Sequence, residues 1–438
     1  MKISISGVRG IYGRDLTLHE VSRFTRLFAG SLIKPGGTCV LGSDTRPSSR
    51  LIAQFAAANL MESGIDVYNL GMAPTPIVFR ESRKYAAGLV ITASHNPLQW
   101  NGLKFIINGR GIFEEELNFM LKNHLEPNPG KFGRLFDIKS DYVHQVLDVA
   151  AKNQGKKNAR VGLDLGGGAA CGYSNQLFEQ LGYTFCSIND IPGVSSRNPD
   201  PTTDDLRELR TLVSANSLDF GFAFDLDGDR LVVINDIGQK LSADSTLLLC
   251  VANATNMGMK KFVSSIDTSV SVEKYIREST CDLIYSKVGE ANVVKKMLDV
   301  GADAGGEGSS AGFIIPEFNM CRDGFLASSI ISSLEKNVVE KCLAFSSEYL
   351  QIRSAVPVDS AVHTKVIDKI MDILSPEASE ILNLDGVKAI LDDDSWILVR
   401  PSNTEDAIRI SVESKRKRAQ LLFKETSEKV QSVYDQVK

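Results

Sequence analysis

Three aspartates alternate in Asp225-Leu226-Asp227-Gly228-Asp229-Arg230, directly after the apolar run Phe220-Gly221-Phe222-Ala223-Phe224. A buried strand of that composition delivers its carboxylates close together, where their repulsion is costly unless a cation neutralises them. Hard oxygen ligands suit magnesium. An EF-hand does not fit, because glycine falls at loop position 4 and Asp236 stands at position 12 in place of Glu. The competing reading is a solvated acidic turn, which the apolar strand before it argues against.

A second strand, Gly88-Leu89-Val90-Ile91, runs into Thr92-Ala93-Ser94-His95-Asn96-Pro97. Ser94 at that junction suits a serine that accepts and returns a phosphoryl group; on the hexapeptide alone, a turn serine capping a helix is an equal alternative. No G-x-S-x-G elbow surrounds it, so a Ser-His triad is the poorer reading. Arg400-Pro401-Ser402-Asn403-Thr404-Glu405 offers a guanidinium, two hydroxyls and backbone N–H groups, with Arg409 on the returning strand. Such a set suits a phosphate monoester, against a surface hairpin of incidental polarity. Glu307 and Ser309 flank Gly308 in a loop with four glycines among eight residues. It either admits a ligand closely, with groups that suit sugar hydroxyls, or is a flexible connector. Arg9 in Ser6-Gly7-Val8-Arg9-Gly10 and Lys104 in Asn101-Gly102-Leu103-Lys104 are either site cations or ordinary surface charge.

The elements that must position these groups repeat. Val40-Leu41-Gly42-Ser43-Asp44, Val161-Gly162-Leu163-Asp164 and Phe262-Val263-Ser264-Ser265-Ile266-Asp267 are apolar strands ending in Asp, with the aspartates 120 and 103 residues apart. Helical stretches such as 51–63 and 269–278 follow, then further strands that lead into the loops at Ser94, Asp225 and Glu307. Alternating strands and helices imply largely parallel sheets with ligands beyond the strand carboxyl ends, so three equivalent loops can face one cleft. From about residue 348 the chain changes to alternating strands, including Trp396-Ile397-Leu398-Val399, and closes on a charged amphipathic helix over 416–437. The expected fold is α/β: three similar α/β domains with mixed, largely parallel sheets, plus a smaller C-terminal α+β domain around a central cleft. The expected domains are 1–150, 151–256, 257–346 and 347–438, with 126–133 and 151–158 as linkers.

Composition bounds the rest. A length of 438 residues implies several cores, and 43% hydrophobic with 24% charged residues is ordinary for a soluble globular protein. The net charge of −5 argues against nucleic-acid and polybasic membrane partners. No apolar run reaches a membrane span, and the first 14 residues lack a secretory core. Seven scattered cysteines without a C-x-x-C pair suggest reduced thiols and a cytoplasmic setting.

The five motifs S-G-V-R-G, T-A-S-H-N-P, D-L-D-G-D-R, G-E-G-S-S and R-P-S-N-T-E-D occur in that order and span Ser6 to Arg409. In this order and spacing the chain resembles the α-D-phosphohexomutase family, which includes phosphoglucomutases, phosphomannomutases and phosphoglucosamine mutases. The resemblance implies four domains around a cleft and an intramolecular phosphotransferase moving phosphate between positions 1 and 6 of a hexose. It implies Ser94 as the phosphoserine, with Arg9, Lys104 and His95 beside it. Asp225, Asp227 and Asp229 would bind Mg2+ together with the Ser94 phosphate. Arg230 and Lys287 would contact substrate, Glu307 and Ser309 the sugar hydroxyls, and Arg400, Ser402, Asn403, Thr404 and Arg409 the non-reacting phosphate. A hexose 1,6-bisphosphate would serve as activator and intermediate. The implied partner is a small phosphosugar, with no nucleic acid or membrane, and the chain a monomer or homodimer.

The chain departs from the family's pattern at three places. Ser310 stands where Gly is usual, Asp406 replaces a proline, and Glu290 in Ser286-Lys287-Val288-Gly289-Glu290 occupies the place of a catalytic histidine found in some members. The sugar leans toward glucosamine phosphate on S-G-V-R-G and T-A-S-H-N-P, whereas Asn403 leans toward the manno/gluco branch. Two other readings compete. Asp225-Leu226-Asp227-Gly228 resembles the D-x-D-G motif of haloacid-dehalogenase-type phosphatases, with Asp225 as nucleophile and Asp227 as acid/base, although Asp229 stands where Thr or Val is usual. The other is a non-catalytic phosphosugar sensor.

Overall fold

The structure, a computed structural model, describes residues 1–123, 131–152, 158–402 and 406–438. Asn403, Thr404 and most of both expected linkers lie outside the described residues.

The expected repetition is present at the level of strand order. In the first unit the central strand Thr38–Ser43 pairs in parallel with Asp66–Met72 on one side and Ala87–Ile91 on the other. Ala87–Ile91 then turns back into the antiparallel strand Trp100–Ile107. The second unit repeats the plan, with central strand Arg160–Asp164 between Thr184–Ile188 and Phe220–Phe224, and Leu231–Ile234 as the antiparallel return. The third repeats it again, with Lys261–Ser265 between Asp282–Ser286 and Ala304–Glu307, and Gly312–Ile314 returning. The helices Ser49–Glu62, Tyr173–Gln180 and Val270–Glu278 make the first crossover of each unit. Thr75–Ser82, Arg207–Ala215 and Glu290–Val300 make the second.

Third strands such as Ala87–Ile91 and Phe220–Phe224 are buried along their whole length, as continuous apolar runs covered on both faces should be. The three turns from third strand to antiparallel return, at residues 92–99, 225–230 and 308–311, therefore occupy one topological position. They carry Ser94, the aspartate triad and Ser309. Asp44, Asp164 and Asp267 mark the carboxyl ends of the three central strands.

The second and third units share one apolar core, to which the almost wholly buried helices Ala243–Asn256 and Gly324–Ser332 contribute. The first unit keeps its own core around Phe24, Phe28, Leu89 and Phe105.

The fourth unit is a five-stranded antiparallel sheet in the order Tyr349–Pro357, Ala407–Lys415, Trp396–Pro401, Val387–Ile390, Glu380–Leu382. The helix Arg416–Val437 buries Ala419, Leu422, Thr426, Val430 and Val433, an apolar stripe at three- and four-residue spacing.

This unit docks on the third through a buried polar seam. Lys388, 1% exposed, donates to the Ile266 carbonyl at 2.8 Å and lies over the rings of Trp396 and Tyr285 at 4.4 and 4.7 Å. Glu413 accepts from Ser269 Oγ at 2.5 Å, from the Val270 N–H at 2.7 Å and from Trp396 Nε1 at 2.7 Å. Gln351 and Arg353 both donate to the Asp267 carbonyl, and Asp385 accepts from the Val288 N–H at 3.1 Å. The seven cysteines are free thiols, six of them buried. Among the described residues no helix is long and apolar enough to cross a membrane.

Candidate active site

Ser94 and the acidic loop meet, although they come from different units 131 residues apart. Ser94 is 1% exposed and its Oγ donates to Asp225 Oδ2 at 3.0 Å, with His95 Nδ1 at 3.3 Å. Its backbone is left-handed, at φ 50°, an uncommon conformation for a residue with a side chain that marks sites held by their surroundings. Gly228, at φ 71°, lets the acidic loop turn within three residues while Asp225 and Asp229 both face inward.

One carboxylate oxygen from each of Asp225, Asp227 and Asp229 lies within 4.8 Å of the others. Neighbours orient these groups: the Arg230 N–H donates to Asp225 Oδ1 at 3.2 Å, and Thr75 Oγ1 to Asp227 Oδ2 at 2.6 Å. Arg322 Nη2 and Lys104 Nζ hold Asp229 Oδ2 at 2.8 and 3.3 Å. Asp227 Oδ1 and Asp229 Oδ1 are buried with no hydrogen-bond partner. Buried carboxylate oxygens need partners, so three oriented carboxylates with two orphaned oxygens fit a hard divalent cation. The electrostatics of the three carboxyls point the same way. Burial, reinforced by the repulsion of its two neighbours, pushes the Asp225 carboxyl well above its ordinary range, and burial raises Asp227 as well. Burial alone would raise Asp229, but Arg322, Lys104 and Arg230 together hold it below the usual carboxylate range.

Beside the triad lies a charge network contributed by three units. Lys104 bridges Asp229 and Glu290, at 3.3 and 3.2 Å. Arg322 pairs with Asp229 at 2.8 Å, Glu290 at 3.2 Å and Glu307 at 3.4 Å. Burial works against the Lys104 ammonium, yet Glu290 and Asp229 outweigh it and raise its pKa. Burial, with Arg230 next, lowers His95 to about 3, so its ring is neutral at pH 7. Arg9 donates to Asn96 Oδ1 at 3.3 Å, and Arg230 lies 3.7 Å from Asp200.

Glu307 is fixed on both oxygens. Gly289 N–H donates to Oε1 at 2.8 Å, while Ser310 Oγ and Arg322 Nη1 reach Oε2 at 3.2 and 3.4 Å. Ser310, where the family pattern has glycine, thus braces this carboxylate, and the chain takes its left-handed turn one residue later, at Ala311 (φ 53°). A Cβ on Gly308 would stand 1.9 Å from Asp244 Oδ1, so a larger residue here would displace that carboxylate. Ser309 is half-buried on the same turn.

Arg400 lies 3.8 Å from Asp385, whose carboxylate also accepts from Val288 N–H, one residue before Gly289. The strand Trp396–Pro401 of the fourth unit is thereby tied to the segment that holds Glu307. Arg409 Nε donates to the buried Ser402 Oγ at 3.3 Å. Lys287 is exposed and lines a separate cavity of about 320 Å³ with Phe113 and Lys295, which none of Ser94, the aspartate triad and Glu307 enters.

Arg322 and Thr75 hold the triad, yet neither is singled out by the sequence motifs. The one signal for Arg322 is its place in Cys321-Arg322-Asp323-Gly324, before the Asp whose side chain accepts from the Leu326 N–H to cap the helix Gly324–Ser332.

Four family models match the chain in succession, all of phosphoglucomutase/phosphomannomutase: alpha/beta/alpha domain I over residues 1–127, domain II over 140–238, domain III over 242–343 and the C-terminal domain over 355–428. A protein of Methanothermobacter thermautotrophicus named "Probable phosphoglucosamine mutase" is 33% identical over 427 residues, covering 94% of this chain and 93% of its own. The phosphoglucosamine mutase of Methanococcus vannielii is 31% identical, covering 86% of this chain and 88% of its own. Among solved structures, a phosphoglucomutase/phosphomannomutase family protein of Burkholderia thailandensis superposes with a TM-score of 0.84 at 22% identity, over 98% of both chains. The Paramecium parafusin, a phosphoglucomutase, gives 0.74 at 17% identity, over 99% of this chain and 94% of its own. These two likenesses concern the fold, whereas the family models cover most of the sequence. The chain belongs to the phosphoglucomutase/phosphomannomutase family, the phosphohexomutases, and is an enzyme of the isomerase class.

Proposed function

We propose that this phosphohexomutase interconverts the 1- and 6-phosphates of glucosamine, by way of phosphorylated Ser94 and a bound 1,6-bisphosphate. The observation that carries the reading is the 3.0 Å contact of Ser94 Oγ with Asp225, in a buried site where the serine and acidic loops of two units meet. The names of the relatives from Methanothermobacter and Methanococcus support glucosamine as the sugar. The four-unit division at 1–150, 151–256, 257–346 and 347–438 is supported by the single sheet that each span holds.

In this reading a sugar hydroxyl oxygen bonds to the phosphorus carried on Ser94 as its O–H bond and the P–Oγ bond break; the P–O electron pair stays on Oγ, and the hydroxyl's proton ends there, restoring the Ser94 hydroxyl. The bisphosphate turns over in the cleft, and its other phosphate returns to Ser94 by the reverse step. Asp225, Asp227 and Asp229 would hold Mg2+, which when bound neutralises charge on the transferring group. Lys104, kept protonated by Glu290 and Asp229, is suited to act as fixed positive charge beside the reacting group and poorly suited to give up its proton. Arg9, Arg230 and neutral His95 would surround the reacting phosphate. Glu307 and Ser309 would hold sugar hydroxyls. Arg400, Ser402, Asn403, Thr404 and Arg409 would grip the phosphate that does not react. We place the reaction in the cytoplasm, which the seven free thiols support.

Replacing Ser94 with Ala is expected to abolish isomerisation of glucosamine, glucose and mannose 6-phosphates; retained turnover would refute the nucleophilic role. Parallel kcat/KM values for the three sugars test the preference for glucosamine. An acid-stable protein phosphate separates phosphoserine from the acyl phosphate that a nucleophilic Asp225 would form.

A further inference from the structure

We propose that Arg46 is a positioning residue for Ser94, a brace that fixes the left-handed backbone from which the serine presents its oxygen. The inference rests on the reading of Ser94 as the phosphoryl carrier. Arg46 follows the strand-end Asp44 by two residues, and its side chain is fully buried. All five of its donors are used. Nε reaches Asp44 Oδ2 at 2.9 Å; Nη1 reaches the carbonyls of Pro97 and Trp100 at 2.5 and 3.0 Å; Nη2 reaches those of Ser94 and Asn96 at 2.5 and 2.7 Å. One guanidinium thus gathers four carbonyls of the loop that follows the serine.

The other side of Ser94 is tied to the same carboxylate. Its N–H donates to Thr92 Oγ1 at 2.8 Å, and Thr92 Oγ1 donates to Asp44 Oδ2 at 2.7 Å. Ser49 Oγ and the Arg46 N–H complete Asp44 on Oδ1. Asp44, Thr92, Ser94 and Arg46 therefore close a ring that fixes both the N–H and the C=O of Ser94. With both peptide groups fixed, the uncommon φ is over-determined and Oγ is directed at Asp225.

The second unit uses the same geometry without the same sequence. Arg197, 33 residues beyond the strand-end Asp164, donates through Nε to Asp164 Oδ2 at 2.8 Å and through Nη2 to the Phe224 carbonyl at 2.6 Å. Phe224 directly precedes Asp225. In two units, then, a strand-end Asp grips an arginine that holds the main chain of the loop carrying the chemistry. A lysine keeps the charge but has neither the planar fork nor five donors, so it cannot rebuild either brace.

Arg46→Lys, Thr92→Val and Ser94→Ala, each in the full chain, test this by kinetics with glucosamine, glucose and mannose 6-phosphates, Mg2+ titration calorimetry and thermal melting. A misplaced nucleophile is expected to lower kcat on the order of 100-fold in both brace variants, with KM, and the Mg2+ affinity of the unphosphorylated protein, within about threefold of wild type. A folded Arg46→Lys whose kcat stays within about threefold of wild type would overturn the proposal. So would a loss spread equally over kcat, KM and Mg2+ affinity, which marks general loosening of the cleft. If Arg46→Lys does not fold, Thr92→Val decides, and unchanged kcat there overturns the proposal. An active Ser94→Ala would overturn both this inference and the reading beneath it, whereas an inactive Ser94→Ala beside a normal Arg46→Lys overturns this inference alone.

Discussion

Asp225 and Asp229 share a hexapeptide but not an environment. Asp225 faces a serine and two carboxylates, whereas Asp229 receives a guanidinium and an ammonium on one oxygen. A divalent cation meets an Asp229 that is already ionised and must itself hold the charge of Asp225 and Asp227. Asp227→Asn is expected to weaken Mg2+ binding and activity together, read by calorimetry and by kinetics at saturating metal. Arg322 has the opposite task, balancing Asp229, Glu290 and Glu307. Removing one partner of a buried network leaves unpaired charge, so Arg322→Met should lower stability by about 3–5 kcal/mol in urea denaturation. The triad is legible in the sequence because its three carboxylates fall within six residues, whereas Ser94 stands out only when its hexapeptide is taken with the other four motifs. Arg322 is not legible, since its carboxylates lie 15, 32 and 93 residues away and only folding joins them.

The unit of construction is a strand, its crossovers and the turn into an antiparallel neighbour, used three times. The aspartates at the ends of the central strands make that repetition readable, because the buried strand and the polar turn after it impose opposite residue types. The braces beneath the loops are less readable. Arg46 sits two residues from its Asp, but Arg197 arrives from a distant loop, so no spacing marks it. Two glycines make room for Arg197's loop: Gly166 and Gly167 are both left-handed, at φ 56° and 59°, and a Cβ on Gly167 would stand 2.5 Å from the Val194 carbonyl. Gly167→Ala should therefore destabilise the protein by more than about 1 kcal/mol in chemical denaturation. Arg197→Lys should weaken Mg2+ affinity, because the main chain entering Asp225 loses its anchor; calorimetry on the folded variant reads that directly.

Across the whole molecule, the fourth unit hangs on the third by a seam containing a buried ammonium. Burial lowers Lys388 to about 8, against the opposing pull of Glu273, Glu413, Asp267 and Asp244. Between pH 8 and about 10.4 the unfolded chain keeps this proton and the folded one does not, so stability rises with pH there. Below pH 8 both states are protonated and the full burial cost is present. Relative to Lys388→Met, wild type should gain about 2 kcal/mol from pH 8 to 10.4, read from urea melts of both proteins. The α+β character of this unit is legible from its alternating strands. The seam is not, because the side chains that make it are met largely by main-chain groups.

That asymmetry has a consequence for how the molecule can change. Lys388, Gln351, Arg353 and Asp385 recognise carbonyls or N–H groups of the third unit, and Glu413 adds one N–H beside the Ser269 hydroxyl. Every residue type supplies those carbonyls and all but proline those N–H groups, so these contacts survive drift in sequence, whereas Lys274 with Asp394 and Tyr349, Asp244 with Arg353 and the Tyr285 ring beside Lys388 tie the joint to particular side chains. Those main-chain contacts make the fourth unit a cap that can be exchanged between cousins wherever Lys274, Asp244 and Tyr285 have kept their chemistry.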